Sequence, residues 1–313
     1  MASASSHDPV KNHILDHQKQ AFEKLVAVGN ACFGIQRHTL PVWPRTNSLI
    51  IGCSGSGKSF LAREVAQELG VKSILLSTSE WMLLGAGNKG AVITWPSIVR
   101  FLYENRNSRG VVIFLDEIDK IAGESSWESF LRTEIFRLLD LAIPAGLTDD
   151  LTEFSDSEIE AAREVLINRT LIIAAGAFQA IWDNRMKPSL GFVHQIQADP
   201  APSLNALAQY IPRELGNRFR SDLIVLPILV ECDYRSMLES TAEKVPPYLR
   251  DTFLLLGRDR IAEAVRQQQG CRFLEELMLD TILREREAVK MISSQDKSSD
   301  QTKSAILKAL KVS

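Results

Sequence analysis

Gly52-Cys53-Ser54-Gly55-Ser56-Gly57-Lys58-Ser59 fits the pattern G-x-x-x-x-G-K-[ST] at every fixed position. An apolar run, Ser48 to Ile51, leads into it, and Lys58 to Leu69 follows with helical spacing until Gly70 stops it. That strand–turn–helix setting gives the pattern its chemistry. The glycines let the backbone turn tightly with its N–H groups facing inward, and the N-terminal end of the helix dipole adds positive potential. Such a loop cradles phosphate groups. Lys58 is the residue to reach the outer phosphates, the Ser59 hydroxyl suits a magnesium ion, and Gly52 to Phe60 form the binding loop as a whole.

The second informative stretch is Val111-Val112-Ile113-Phe114-Leu115, which runs straight into Asp116-Glu117-Ile118-Asp119. An apolar strand that delivers two adjacent carboxylates at its C-terminal end puts them where open α/β sheets bind ligands. Side chains alternate along a strand, so the two acids need not share a task. Asp116 suits the magnesium shell, and Glu117 suits orienting and activating an attacking water. Further strand candidates are Ser73–Ser77, Leu171–Ala175 and Leu223–Leu226, with helical stretches between most of them. Continuous apolar strands alternating with helices predict an α/β fold, a P-loop domain with a mainly parallel five-stranded sheet covered on both faces.

Residues 1–13 read as a disordered start. Apolar residues at helical spacing (Ile14, Phe22, Leu25, Val26, Val28) then fill Ile14 to Phe33, and the large α/β domain is expected over residues 14–230. From Asp233 to Val289 the pattern is helical only, broken by Pro246–Pro247, Gly257 and Gly270. It predicts a small all-α domain over residues 231–292. Residues 293–313 read as a flexible tail, with a short helix at Ala305 to Leu310.

A length of 313 residues, 45% of them apolar and 24% charged, leaves room for one large domain and a smaller one. The formal net charge of −3 gives no overall basic surface and counts against nucleic acid as a partner. Cys32, Cys53, Cys232 and Cys271 form no C-x-x-C pair, which counts against a zinc site and a disulfide framework. Met1 to Pro9 shows no basic-then-apolar leader. No apolar run approaches the ~20 residues that span a bilayer, so the expectation is a cytoplasmic protein with no membrane partner.

The phosphate loop and Leu115 to Lys120 together resemble the AAA+ superfamily. Further segments, in consistent order over roughly residues 14 to 290, resemble its Clp-type unfoldase branch, the ClpX and HslU families. The resemblance implies an ATPase using ATP and Mg²⁺. It implies that Ile14 and Leu15, in Ile14-Leu15-Asp16-His17-Gln18, line an adenine pocket. Leu171 to Gln179 resembles the fourth strand and the turn beyond it, here without the polar residue that often senses the γ-phosphate. Ile211-Pro212-Arg213-Glu214-Leu215-Gly216-Asn217-Arg218-Phe219 resembles the box whose arginine reaches into the neighbouring subunit's site. Such arginine fingers are worth ~10³–10⁵ in rate. Gly270-Cys271-Arg272 resembles the motif opening a lid helix, whose arginine contacts nucleotide from the same chain. The alternative for Arg218 is a surface arginine pairing with Glu214 one turn earlier, and for Arg272 an arginine at an ordinary helix start.

The resemblance also implies self-association into a ring, a hexamer, that remodels or unfolds an unknown protein client. Rival readings are an ATP-gated switch that recruits a separate effector and a nucleic-acid-associated regulator. Trp81-Met82-Leu83-Leu84-Gly85 falls near the loop that grips substrate in unfoldases, but its aromatic and glycine are too far apart. Trp81 thus either projects into a pore or packs under the sheet. Leu190-Gly191-Phe192 falls where the ClpX family docks a peptidase, or is a buried apolar connection. The acid-rich segment Asp149 to Glu164 reads as a solvated helix face or a pore-side insertion.

Overall fold

The structure, a computed structural model, describes residues 14–34, 39–81, 90–121, 126–144, 154–186 and 210–286. Strands β1 (Ser48–Ile51), β2 (Lys72–Ser77), β3 (Val111–Asp116), β4 (Thr170–Gly176) and β5 (Ile224–Val225) form one sheet in the order β2-β3-β4-β1-β5. Every neighbouring pair is parallel. The expected strands lie on these five, with no end displaced by more than one residue.

Alternation along the strands explains why they read as unbroken apolar runs. Leu49, Ile51, Val111, Ile113, Leu115, Ile172 and Ala174 belong to one buried cluster. Ile50, Val112, Phe114, Leu171, Ile173 and Ala175 belong to a second. Both faces of the central strands are therefore covered, and their buried polar residues, Ser48 and Thr170, stand at strand starts. The second face is packed by Ala21, Leu25 and Val28 of helix α1 (Lys19–Gly34) and by Leu61, Ala62, Val65 and Ala66 of helix α2 (Lys58–Glu68). The first face carries helices α3 (Gly90–Glu104), α4 (Ser126–Leu139) and α5 (Asp156–Arg169), with Trp95, Ile98, Leu102, Ile135, Leu138, Val165 and Leu166 fully or almost fully buried. Ile14 to Phe33 is not one helix. A 3-10 turn, Asp16–Gln18, precedes α1 and sets its entry.

Parallel register brings the strand ends level. Ile51 lies opposite Gly176, Ala174 opposite Leu115, and Asp116 opposite Ser77. The loop after β1 and the acids closing β3 thus leave the sheet at the same end, one strand apart, about 10 Å at ordinary strand spacing.

The chain divides into two compact units, Met1–Ile228 and Leu229–Ser313. In the second, α8 (Glu231–Ala242), α9 (Pro247–Gln267) and a helix over residues 272–286 enclose Tyr234, Leu238, Phe253, Ile261, Phe273 and Leu277. Between Gln179 and Arg213 the first unit also contains α6 (Gln179–Met186), and α7 is Arg213–Gly216. Pro246 and Pro247 start α9 rather than merely interrupting a pattern, since proline is pre-shaped for the first helical turn. Gly257 was expected to break the helix, yet α9 runs straight through it. The glycine is there for close packing. A Cβ at 257 would stand 2.3 Å from Leu238 Cδ1 and 3.0 Å from Leu277 Cδ2, and both of those leucines are buried. No helix among the described residues is long and apolar enough to cross a membrane.

Gly257→Val forces two methyl groups into that contact. It should lower the stability of the helical unit by about 1–3 kcal/mol, read as an earlier midpoint in urea followed by far-ultraviolet circular dichroism.

Candidate functional site

The phosphate-loop motif forms a tight turn between β1 and α2. Gly55 and Gly57 take φ of 79° and 82°, which L side chains adopt only with strain. Gly52 is required for space instead: a Cβ there would meet Ser56 Oγ at 2.7 Å and Leu226 Cβ at 3.0 Å. Lys58 Nζ folds back on the loop and donates to the carbonyls of Gly52 at 2.8 Å and Cys53 at 2.9 Å. Cys53 is buried, Ser54 is exposed, and Phe60 is half-buried. Ser56 Oγ is buried and has no hydrogen-bond partner among the described residues. An orphan hydroxyl costs about 1–3 kcal/mol unless something else satisfies it.

Across the sheet end, Ser59 Oγ donates to Asp116 Oδ2 at 2.7 Å. The two residues assigned to magnesium from sequence are therefore in direct contact. Oxygen donors of hydroxyl and carboxylate type beside a phosphate cradle are the chemistry magnesium takes. The glycine turn, the lysine, the orphan hydroxyl and this oxygen pair together fit a magnesium-bound phosphoanhydride.

Glu117, next in the chain, has φ of 58°, a left-handed conformation that is uncommon outside glycine. Asp116 Oδ1 accepts its backbone N–H at 2.9 Å, and Ser77 Oγ, at the end of β2, donates to its carboxylate at 3.2 Å. Asp119 accepts the N–H groups of Ala177 and Phe178, both at 3.2 Å. It thereby ties the end of β3 to the turn after β4, where Phe178 also has positive φ, 48°. Ser77 and Asp119 were not singled out from sequence, and only Asp119's place in the acidic run hinted at a role.

The N-terminal segment lies against the loop. Ile14 and Leu15 are half-buried, and Ile14 packs on the cluster that covers α2. Gln18, wholly buried, reaches the Ser56 carbonyl.

Arg218 is firmly engaged within its own chain. Nε and Nη2 donate to the two carboxylate oxygens of Asp140, both at 3.0 Å, and Nη1 donates to the Glu214 backbone carbonyl at 2.7 Å. The guanidinium also lies 4.1 Å from the centre of the Phe136 ring. Its carboxylate partner is thus Asp140, 78 residues away, and not the Glu214 carboxylate of the alternative reading. Arg272, in the second unit, is exposed at the start of the helix over 272–286. Ahead of it the N–H of Gly270, itself at φ 62°, donates to Tyr234 Oη at 2.7 Å.

Trp81 does not project outward. It is 2% exposed, sits edge-on to Trp95 with ring centres 6.2 Å apart, and donates from Nε1 to Glu134 at 3.3 Å. Burial pushes the Glu134 carboxyl up, against the pull of the Trp81 hydrogen bond and the Arg137 charge. Of the acid-rich segment, residues 154–164 are described. There Glu158 accepts the N–H of Ser155 at 2.8 Å and its hydroxyl at 2.9 Å, a capping box that opens α5. These hydrogen bonds hold the Glu158 carboxyl below its ordinary range. Met82 to Gly85, Leu190-Gly191-Phe192, residues 149–153, residues 1–13 and the tail over 293–313 lie outside the described residues.

Residues 48–143 match the family described as "ATPase family associated with various cellular activities (AAA)". The chain is 26% identical over 220 residues to the ATP-dependent Clp protease ATP-binding subunit ClpX of Azotobacter vinelandii, covering 64% of this chain and 49% of that one. It is 42% identical over 74 residues to the chloroplastic ATP-dependent zinc metalloprotease FTSH of Capsicum annuum, covering 23% of this chain and 10% of that one. Over 80 residues it is 38% identical to the peroxisomal ATPase pex6 of Schizosaccharomyces pombe, covering 25% of this chain and 8% of that one. The chain therefore spans about half the length of the ClpX relative and far less of the other two.

Because Trp81 is a core residue, Trp81→Ala should behave as a cavity mutation. A loss of about 3–5 kcal/mol in unfolding free energy is expected, measured by urea denaturation. A variant as stable as the parent would place the indole outside the core.

Proposed function

We propose that the chain carries an AAA+ ATPase module, which binds ATP and hydrolyses it at sites shared between copies assembled in a ring. The observation that carries this reading is the 2.7 Å contact between Ser59 and Asp116, with Glu117 next to it. It joins the phosphate loop to the acidic strand end at one end of the sheet.

The residues divide the work by their chemistry. Backbone N–H groups of the glycine turn bind the phosphates, and the Lys58 ammonium leaves the Gly52 and Cys53 carbonyls to meet the outer ones. Ser59 and Asp116 would hold a magnesium ion, which would supply positive charge beside the phosphates. Glu117 orients a water for attack on the γ-phosphorus and takes its proton as the bond to the ADP oxygen breaks, giving ADP and inorganic phosphate. Ile14 and Leu15 line the base. Arg272, in the helical unit over residues 231–292, senses nucleotide from the same chain.

Arg218 is the residue offered to a neighbouring copy. Its side chain is 25% exposed, and the Asp140 pair and Phe136 ring hold it in a fixed posture. The ClpX and FTSH relatives are named as part of a protease or as proteases, so we take polypeptide as the client class. Remodelling of that client by a hexamer is the working form of the proposal.

Four measurements test it. Wild-type protein with Mg²⁺ should release phosphate from ATP, with a rate per chain that rises with protein concentration. Lys58→Ala should lose ATP binding by at least about 100-fold. Glu117→Gln should bind ATP yet turn over about 10²–10⁴-fold more slowly. Arg218→Ala should bind ATP and turn over poorly, and mixing it with Glu117→Gln should restore part of the rate. Saturating ATP and magnesium without phosphate release from wild type would end the ATPase reading, and absence of rescue on mixing would end the shared-site reading.

A further inference from the structure

Gln18 is fully buried although its side chain is polar, and the hydrolytic chemistry leaves it without a task. Its side-chain oxygen accepts the Leu15 backbone N–H at 3.5 Å, which turns the NH₂ end toward the phosphate loop. There Nε2 donates to the Ser56 carbonyl at 3.1 Å and to the Gly57 carbonyl at 3.4 Å. His17 Nε2 lies 3.4 Å from the same Ser56 oxygen.

Ser56 stands between Gly55 and Gly57, both at positive φ, and glycine accepts either sign of φ at little cost. A peptide plane beside glycine therefore flips easily. In a planar trans peptide the carbonyl and the N–H point in opposite directions. Fixing the Ser56 carbonyl toward Gln18 aims the Gly57 N–H away from it, whereas the Gly57 carbonyl is already held by the Leu61 N–H at 2.8 Å in the first turn of α2.

We propose that Gln18 is a positioning residue for nucleotide binding: its side-chain amide pins the 56–57 peptide plane so that the Gly57 N–H group faces the phosphates. The proposal rests on reading the loop as a nucleotide site. The turn that bears Gln18 also bears Ile14 and Leu15 beside it, so base contact and phosphate cradle are joined through one side chain.

Gln18→Met tests the idea by keeping length and apolar stem while removing both donors. The probe is ADP with Mg²⁺, titrated by calorimetry, together with KM and kcat for ATP. ADP affinity should fall about tenfold and KM should rise in step, while kcat changes less than threefold and the unfolding midpoint without nucleotide stays close to that of wild type. Gln18→Asn, one methylene short of the Ser56 carbonyl, should show the same loss. Either variant binding ADP within twofold of wild type overturns the inference. Variants that both fail to fold overturn it too, since Gln18 would then serve the fold and not the cradle. Wild type that ignores ADP is a separate result, and it removes the nucleotide site itself.

Discussion

Ser59 and Asp116 lie 57 residues apart in the chain, yet their side-chain oxygens meet at 2.7 Å, and most of the site depends on that meeting. It requires β1 and β3 to flank β4 in parallel with level ends, as the register from Ile51–Gly176 to Leu115–Ala174 provides. That register is set by burial. A slip of one residue would turn the apolar set of one face onto the other and swing Asp116 away with it. The apolar clusters on the two faces and the oxygen pair at the sheet end are thus one constraint, expressed first in packing and then in chemistry.

Around this contact the backbone is held in conformations it would not choose. Glu117 at φ 58° and Phe178 at φ 48° stand at the ends of adjacent strands, and such residues cost about 1–3 kcal/mol each. Each is held by hydrogen bonds from the acidic run. Asp116 Oδ1 takes the Glu117 N–H, and Asp119 takes the N–H groups of Ala177 and Phe178. The acidic run therefore does two kinds of work. Asp116 and Glu117 present carboxylates at the sheet end, while Asp119 spends its oxygens on backbone amides and fixes the neighbouring turn.

The parts that local pattern encodes were legible in the sequence. The runs of β1, β3 and β4 are unbroken because both faces of the sheet are covered there, while β2 is an edge strand with Leu75 exposed, and the glycine turn was read from its local pattern. Gly257 misled because its effect depends on Leu238 and Leu277, which approach it from other helices of the unit. Trp81 was ambiguous because an aromatic beside a loop reads the same whether it faces water or, as here, Trp95 and Glu134. Ser77 and Asp140 carry no motif of their own, and nothing about Gln18, which closes the Ile14 to Gln18 segment, points to the phosphate loop. Each acts on a residue at least 38 positions away, and only the topology brings the partners together.

Lys58 and Arg218 are the two cations assigned to phosphate, and they are held in opposite ways. Lys58 rests on carbonyls of its own loop, neutral acceptors that phosphate oxygens can replace with stronger, charge-assisted bonds. Arg218 rests on a carboxylate, an aromatic ring and a carbonyl, and an anion has less to gain by pulling it free. Those contacts use three of its five N–H donors among the described residues, which leaves two for an acceptor arriving from outside the chain. A guanidinium already immobilised loses little rotamer entropy on engaging that acceptor, a cost of up to about 2 kcal/mol for a free arginine side chain. For a residue proposed to serve another copy, such fixing is an advantage. On the proposed reading Lys58 moves within its own site, whereas Arg218 needs only to be met.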